Sequence, residues 1–465
     1  MDYIKINSEN KTLHLVLLVL SLGFLVLYLS HLARDIPPVL TTAGGKMDIS
    51  FYFLTFIPNA IYGPLFVLLF LGAHYYIRLK LPKSDPFILP VVALLSGIGL
   101  IVILRLSPDL AFTRNEVIQS LVTRNPDIHV KDNVLTLAKL GMKHFIFIAS
   151  GLLVMLASEH VFNQKTLSWF SSKKYLWVFL ASFLTILTLL FGTKINDRRL
   201  WFFGFQTVEF VKLLLVFFIA GYLYEKSKGL WISSHKGLKT WISHGGPFIL
   251  MWFFALIPLF IQKDLGPTFL IFVVFLLMFH YGGNPNLVTL LFAILTIAGG
   301  YVSYKIGFPS IVGKRFEMML DPFGRSEAMA RALWSISSGG IAGSGIGFGQ
   351  PWRIPQVQSD YTFVALCEEM GLIGGVIVVL GYTILIYRCF RIASETDNLY
   401  KRFLVTTVGT LIGLQAFIII CGNLGVIPMT GITLPLVSYG GSSMIINFLM
   451  MGIVIRISGD KRCQS

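Results

Sequence analysis

Apolar residues run along this chain in long blocks, cut by short polar segments that carry most of its charge. Blocks near 13–33, 52–77, 87–105, 142–159, 174–193, 207–224, 247–262, 266–281, 286–306, 362–386, 403–422 and 436–456 each read as one element. A helix rises about 1.5 Å per residue, so roughly 20 apolar residues cross about 30 Å of hydrocarbon. Inside a bilayer the backbone has no water to bond, and helices answer that need within a single segment. The pattern predicts an all-α, polytopic membrane protein with about 12 transmembrane helices and both termini on one side. The first block is too long for a cleavable signal and lacks a small-residue cleavage site, so it is expected to remain as an anchor.

The segments between blocks set an orientation. Arg78, Lys80 and Lys83, then Lys165, Lys173 and Lys174, then Lys226, Lys228, Lys236 and Lys239, then Arg388, Arg391, Lys401 and Arg402 all fall on the same side as the termini. Short basic loops face the cytoplasm, so both termini are expected there. Two long segments, 106–141 and 307–361, lie on the opposite face. Residues 1–85 read as an accessory pair of spans, 86–458 as one helical core, and 459–465 as a cytoplasmic tail. No internal repeat is evident, which weakens a transporter made of inverted halves.

Composition adds limits. The chain is 55% hydrophobic and 13% charged, with a mean hydropathy of +0.74, which excludes an ordinary soluble domain. A net charge of +15 raises nucleic acid as a partner. The basic residues sit at span ends, though, where anionic headgroups or a phosphorylated lipid fit better. Cys367, Cys389, Cys421 and Cys463 have neither metal-ligand spacing nor a disulfide framework.

Charge at membrane depth marks candidate chemistry. Gln262-Lys263-Asp264-Leu265-Gly266-Pro267 turns the chain between two apolar blocks. Asp264 is placed to cap the following helix, and equally to accept a proton, since the helix start and Lys263 both favour its ionised form. Glu209 and Lys212, three apart, share a helix face. They form an intrahelical ion pair or a charged pair in a cavity near Arg198 and Arg199, whose fork-shaped donors suit a diphosphate or lipid headgroups. Glu368 and Glu369 lie inside a span and point about 100° apart, so one at most is expected to face a given neighbour. They read as buried hydrogen-bonding groups or as a proton relay. Asp360, ahead of that span, is a candidate cap.

Residues 326–337 are predicted to form a short amphipathic helix with Ala330, Leu333 and Trp334 on one side. The glycine run 339–349 that follows reads as tight turns or a ligand loop, flanked by Arg325, Arg331 and Arg353. It lacks the strand–helix setting of a phosphate-binding loop. Two prolines and several glycines in 427–443 predict broken helix at membrane depth. Such backbone must be buried or line a wet cavity, and the hydroxyls of Ser438 and Ser442 favour the cavity over a glycine packing interface.

Leu434-Pro435-Leu436-Val437-Ser438-Tyr439-Gly440-Gly441-Ser442-Ser443 resembles the C-terminal signature of the RodA/FtsW/SpoVE proteins, the shape, elongation, division and sporulation (SEDS) family. Segments 198–212, 262–266 and 339–371 resemble three further stretches of that family, in the same order. Leu104-Arg105-Leu106 is similar to members with extra N-terminal spans. The sequence departs at Thr207-Val208, where the family usually has Pro-Ser, at Lys263, where it has proline, and at Pro267, where it has Thr.

The resemblance implies a ten-helix SEDS-like core plus two N-terminal helices with a large extracytoplasmic loop, in the bacterial cytoplasmic membrane. It implies a peptidoglycan glycosyltransferase that polymerises lipid II, with Asp264 as the catalytic residue. Arg199, Glu209, Lys212, Lys263, Arg353, Asp360, Ser438 and Ser442 are then the substrate-binding candidates. Implied partners are lipid II, a class B penicillin-binding transpeptidase and other elongation or division proteins of the membrane, without nucleic acid. No cofactor is certain, a divalent cation such as Mg2+ or Mn2+ being an option. A lipid II flippase coupled through Glu368 or Glu369, and a non-catalytic scaffold for cell-wall enzymes, are the alternatives.

Overall fold

The structure, a computed structural model, describes residues 2–33, 49–122, 137, 139–195, 198–230, 257, 259–262, 264–282, 290, 294, 298, 301, 305 and 310–460. Among them nine helices are long and apolar enough to cross a membrane, and a shorter apolar helix accompanies them. In chain order the long helices are α1 (Asp2–Ala33), α2 (Ile49–Lys80), α3 (Ile88–Val122) and α4 (Leu140–Val161). A surface helix α5 (Gln164–Ser172) leads to α6 (Lys174–Phe191) and, after a small sheet, α7 (Thr207–Leu230). The shorter apolar helix is α8 (Leu265–Tyr281). Three small helices, α9 (Ser310–Leu320), α10 (Pro322–Arg325) and α11 (Glu327–Gly339), precede α12 (Thr362–Ser394), α13 (Leu399–Asn423) and α14 (Gly441–Gly459). The expected spans near 247–262 and 286–306 fall largely outside the described residues.

Burial separates the centre from the rim. In α3 94% of the most apolar stretch is buried, and in α7 83%, against 28% in α1 and 22% in α2. A helix apolar all round, with one side bare, faces lipid there. The two outer helices lie against the core through close contacts. Gly97 of α3 approaches Leu20 of α1 so nearly that a Cβ would come within 2.6 Å, and Tyr62 of α2 stacks on Phe145 of α4 at 5.0 Å. Small residues let helices approach closely where lipid removes the usual hydrophobic drive.

Two expectations need correction. The span expected to end at 105 continues as helix to Val122, through Pro108. Proline deletes one backbone donor, and the Arg105–Asp109 ion pair bridges that turn. The last span begins at Gly441, not near 436. Leu436 adopts φ +65°, outside helical geometry, and the Pro435 carbonyl accepts a hydrogen bond from Tyr382. Between α6 and α7 the chain forms a three-stranded antiparallel sheet of β1 (Thr193–Ile195), β2 (Arg198–Phe202) and β3 (Phe205–Gln206). The β2–β3 turn has positive φ at both Phe203 and Gly204, the two-residue hairpin geometry that suits strand twist.

The other end of the bundle is fastened by charge. Arg388 of α12 holds Asp85, ahead of α3, with its Nε 3.0 Å from Oδ2. The Asp85 amide donates to Ser458 of α14 at 2.9 Å, and Lys401 of α13 pairs with Asp460 at 2.7 Å.

Candidate active site

The end of the bundle opposite that fastening gathers most of the sequence-predicted residues around one irregular strap, residues 424–440. Gly425 and Gly431 adopt positive φ, which lets the backbone turn where other residues resist. The strap's core is buried, with Leu434 at 2%, Leu436 at 1% and Val437 at 0% exposure.

Asp264 stands at the start of α8 and is buried. It occupies the cap position of α8, as expected, but its side chain makes no capping hydrogen bond to the helix. Its carbonyl accepts the Thr268 hydroxyl at 2.7 Å. Gln262 pins the preceding turn to α6 by donating to the Thr185 carbonyl at 2.8 Å. Two residues after Asp264, Gly266 packs on the strap, where a Cβ would come within 2.4 Å of the Thr430 carbonyl. The start of α8 is thereby pressed onto residues 430–432. Lys263 lies outside the described residues.

Glu209 and Lys212, both buried, form the intrahelical pair at 2.7 Å. Lys212 also donates to Gln415 Oε1 of α13 at 2.8 Å, and Gln415 Nε2 donates to the Thr433 carbonyl at 2.7 Å. Thr433 and Ser443 share a hydroxyl hydrogen bond at 2.9 Å. One polar chain thus runs from α7 through α13 to the strap on which the start of α8 packs. Sequence reasoning missed Gln415. Its signal was a lone amide within the apolar 403–422 block.

Other candidates sit apart. Arg199 donates to the Leu189 carbonyl at 3.2 Å and to that of Leu190, closing the C-terminus of α6. Ser438 donates to Thr362 at 3.1 Å and accepts from the Leu434 amide at 3.1 Å. Ser438 thereby braces the strap against the start of α12. Ser442 is buried at the start of α14. Arg353 lies exposed over Trp352, 5.3 Å from its ring, and its carbonyl accepts from Arg331.

Glu368 and Glu369 are both engaged, in different directions. Glu368 accepts from the Gln350 amide at 2.6 Å, and Glu369 pairs with buried Arg105 at 2.8 Å. Arg105 also donates to the carbonyls of Gly347 at 3.1 Å and Gly349 at 3.0 Å. The glycine run is therefore clasped against α12 and α3. Its Ser344 and Gly345 amides bond the Glu368 and Glu369 carbonyls, so they are spent on turns and packing. The predicted amphipathic helix is α11, capped by Ser326. Ala330 is buried on it, whereas Trp334 is 60% exposed, against expectation, and leans on Phe323.

Below α9 a cavity of about 290 Å³ opens between Arg315, Met318 and Met319, the start of α11, Asp360 and Tyr361, and strap residues Ile427, Met429 and Gly431. Asp360 does not cap α12, whose preceding residue is Tyr361. Burial raises its carboxyl above the ordinary aspartate value, against the lowering effects of Ser359 and Arg315. Among the described residues no group of three or more His, Cys, Asp or Glu side chains is arranged to hold a metal ion.

Fold and site together define a polytopic helical membrane protein with a buried carboxylate and an ion pair converging on a broken helix. Comparison with known proteins gives its family. The model FTSW_RODA_SPOVE, described as "Cell cycle protein", matches residues 128–463, and the chain belongs to that family. It is 32% identical to the peptidoglycan glycosyltransferase RodA of Mycobacterium tuberculosis over 86% of this chain and 83% of that protein. It is 30% identical to the stage V sporulation protein E of Bacillus subtilis over 69% and 87%. Its fold matches a chain of a peptidoglycan synthase complex with a TM-score of 0.60 at 23% identity, covering 82% of this chain and 99% of that one. It also matches the rod shape determining protein RodA of Thermus thermophilus with a TM-score of 0.55 at 21% identity, covering 82% and 98%.

Proposed function

We propose that this protein is a peptidoglycan glycosyltransferase that polymerises lipid II into glycan strands for cell-wall synthesis, in shape maintenance or division. Membership of a family whose relatives carry that activity by name supports the reading. The observation that carries it to a site is the convergence on residues 430–433 of the start of α8, which bears Asp264, and of the Glu209–Lys212–Gln415 chain.

In the proposed reaction a hydroxyl of the acceptor sugar attacks the anomeric carbon of the donor. The new C–O bond forms as the bond to the lipid diphosphate breaks. The diphosphate leaves with the electron pair, the hydroxyl proton passes to Asp264, and attack from the opposite side inverts the anomeric centre. General-base help of this kind contributes about 10²–10⁴ in rate. A lysine ammonium has three donors. Glu209 and Gln415 engage two of those on Lys212, and the third meets the developing charge on the leaving group. Lys263, next to Asp264 in sequence, adds positive charge. The site opens outside the cell and the basic end faces the cytoplasm with both termini, as the positive-inside rule requires. Likeness to a chain from a peptidoglycan synthase complex supports a class B penicillin-binding transpeptidase as partner.

The test is polymer formation from lipid II by the purified full chain in detergent, where no second compartment exists to receive a transported lipid. Asp264→Asn is expected to lower the rate by at least about a hundredfold with unchanged expression and melting. Wild-type rates in that variant would remove Asp264 as base. A wild type that makes no polymer would turn the reading toward a transporter or scaffold.

A further inference from the structure

The cavity under α9 has no part in the reaction just described, yet it shares a wall with it. On one side of the strap the Thr430 carbonyl meets Gly266, two residues from Asp264. On the other, the next residue, Gly431, faces the cavity, where a Cβ would lie 3.8 Å from both Arg315 Nη2 and Asp360 Oδ2. Those two are the charged side chains lining it. Met318, Met319, Met329 and Met429 form most of the apolar wall. Between Met429 and Gly431, Thr430 is buried and its hydroxyl has no hydrogen-bond partner.

We propose that this cavity is a sugar subsite that holds one neutral pyranose ring of the glycan, beside the ring that reacts at Asp264. Size is the first ground. About 290 Å³ stands at the lower edge of the range for small-molecule sites, roughly 300–1,000 Å³, which is room for one ring. Charge is the second. Arg315 and Asp360 face the same space with opposite signs, and a diphosphate entering it would meet the carboxylate. A neutral sugar uses both, donating hydroxyl protons to Asp360 and accepting from the guanidinium. Shape is the third. A pyranose has a polar rim and an apolar C–H face, and thioether side chains conform readily to such a face.

This subsite rests on the glycosyltransferase reading, and two measurements keep their failures apart. In the first, the purified full chain polymerises lipid II, and KM and kcat are compared. Asp360→Ala is expected to raise KM about ten- to a hundredfold, the range for one lost hydrogen bond to a charged group, and the cavity-filling Met318→Trp to raise it at least as much by blocking the ring, each with kcat within about twofold. Asp360→Asn, which keeps a hydrogen-bonding group, is expected to lose less. In the second, binding of a soluble N-acetylglucosamine trimer to the same proteins is followed by saturation-transfer NMR. Binding should persist in Asp264→Asn and vanish in Met318→Trp. Met318 is 38% exposed, so this variant folds even where Asp360→Ala does not. Loss of trimer binding in Met318→Trp supports the subsite even if the wild type makes no polymer. Unchanged KM and trimer binding in Met318→Trp would overturn it in a chain that polymerises normally. So would binding of inorganic pyrophosphate, in place of the trimer, that strengthens when Asp360 is removed.

Discussion

Lys212 shows how much one side chain can carry at membrane depth. It is buried between Glu209 at 2.7 Å and Gln415 at 2.8 Å, so its removal leaves a carboxylate with no compensating charge. Breaking a buried pair from one side costs about 3–5 kcal/mol, whereas replacing both partners with apolar groups is often neutral. Lys212→Met should therefore lower the melting temperature of the detergent-solubilised protein steeply. Glu209→Leu combined with Lys212→Met should recover most of that loss and none of the polymerase activity. Equal instability of the single and double variants would contradict the pairing. The sequence announced this pair, because spacing of three on a helix fixes a shared face. It did not announce Gln415, two hundred residues away. A lone amide in an apolar span signals that a partner exists without saying on which helix it lies. Arg199 misled for a related reason, since its spacing gave no hint that its guanidinium would close the end of α6.

The element that organises the upper part of the bundle is α12, broken at Gly371, where φ is +66° and ψ is −166°. The glycine run docks into this break. The Leu372 and Ile373 amides donate to the Gly340 and Ile341 carbonyls, and a Cβ on Gly371 would come within 2.3 Å of the Ile341 carbonyl. Because that atom is backbone, it cannot swing aside. Gly371→Ala is expected to cost roughly 1–3 kcal/mol for the backbone conformation alone, with the clash adding to it. It should also expose the 341–349 segment to limited proteolysis, while Gly313→Ala, at a site with no atom within 4 Å, should do neither. The existence of this helix and of α11 was legible in the sequence, since hydrophobic period is a local signal. The break was hidden. Glu368 and Glu369 could not be assigned either, because each finds its partner on a different element only once the loop has folded back over the kink.

At the scale of the whole molecule, acid has opposite effects at the two ends. Burial pushes the Asp460 carboxyl up, but hydrogen bonds and charge from Lys401 and Arg456 outweigh it, and the native value falls below the ordinary aspartate value. A depressed native value stabilises the fold above the unfolded value, and that stability is lost as pH falls through the native one. Asp360 has the reverse sign. Burial holds its native value above 3.8 despite Ser359 and Arg315, so the fold binds its proton more readily than the unfolded chain does. Between those two values stability declines as pH rises, and the full penalty is present at neutral pH. Melting curves of the two amide variants separate these contributions. Asp460→Asn should melt lower than wild type at pH 7 and show a flatter decline on the acid side of pH 4. Asp360→Asn should melt higher than wild type at pH 7, with the difference shrinking as pH falls toward 3.8. In the proposed sugar subsite the same charge that costs stability accepts the hydrogen bonds of the ring. The same Asp360→Asn protein that gains stability should bind lipid II more weakly, so a variant that gained both would deny Asp360 any role in binding.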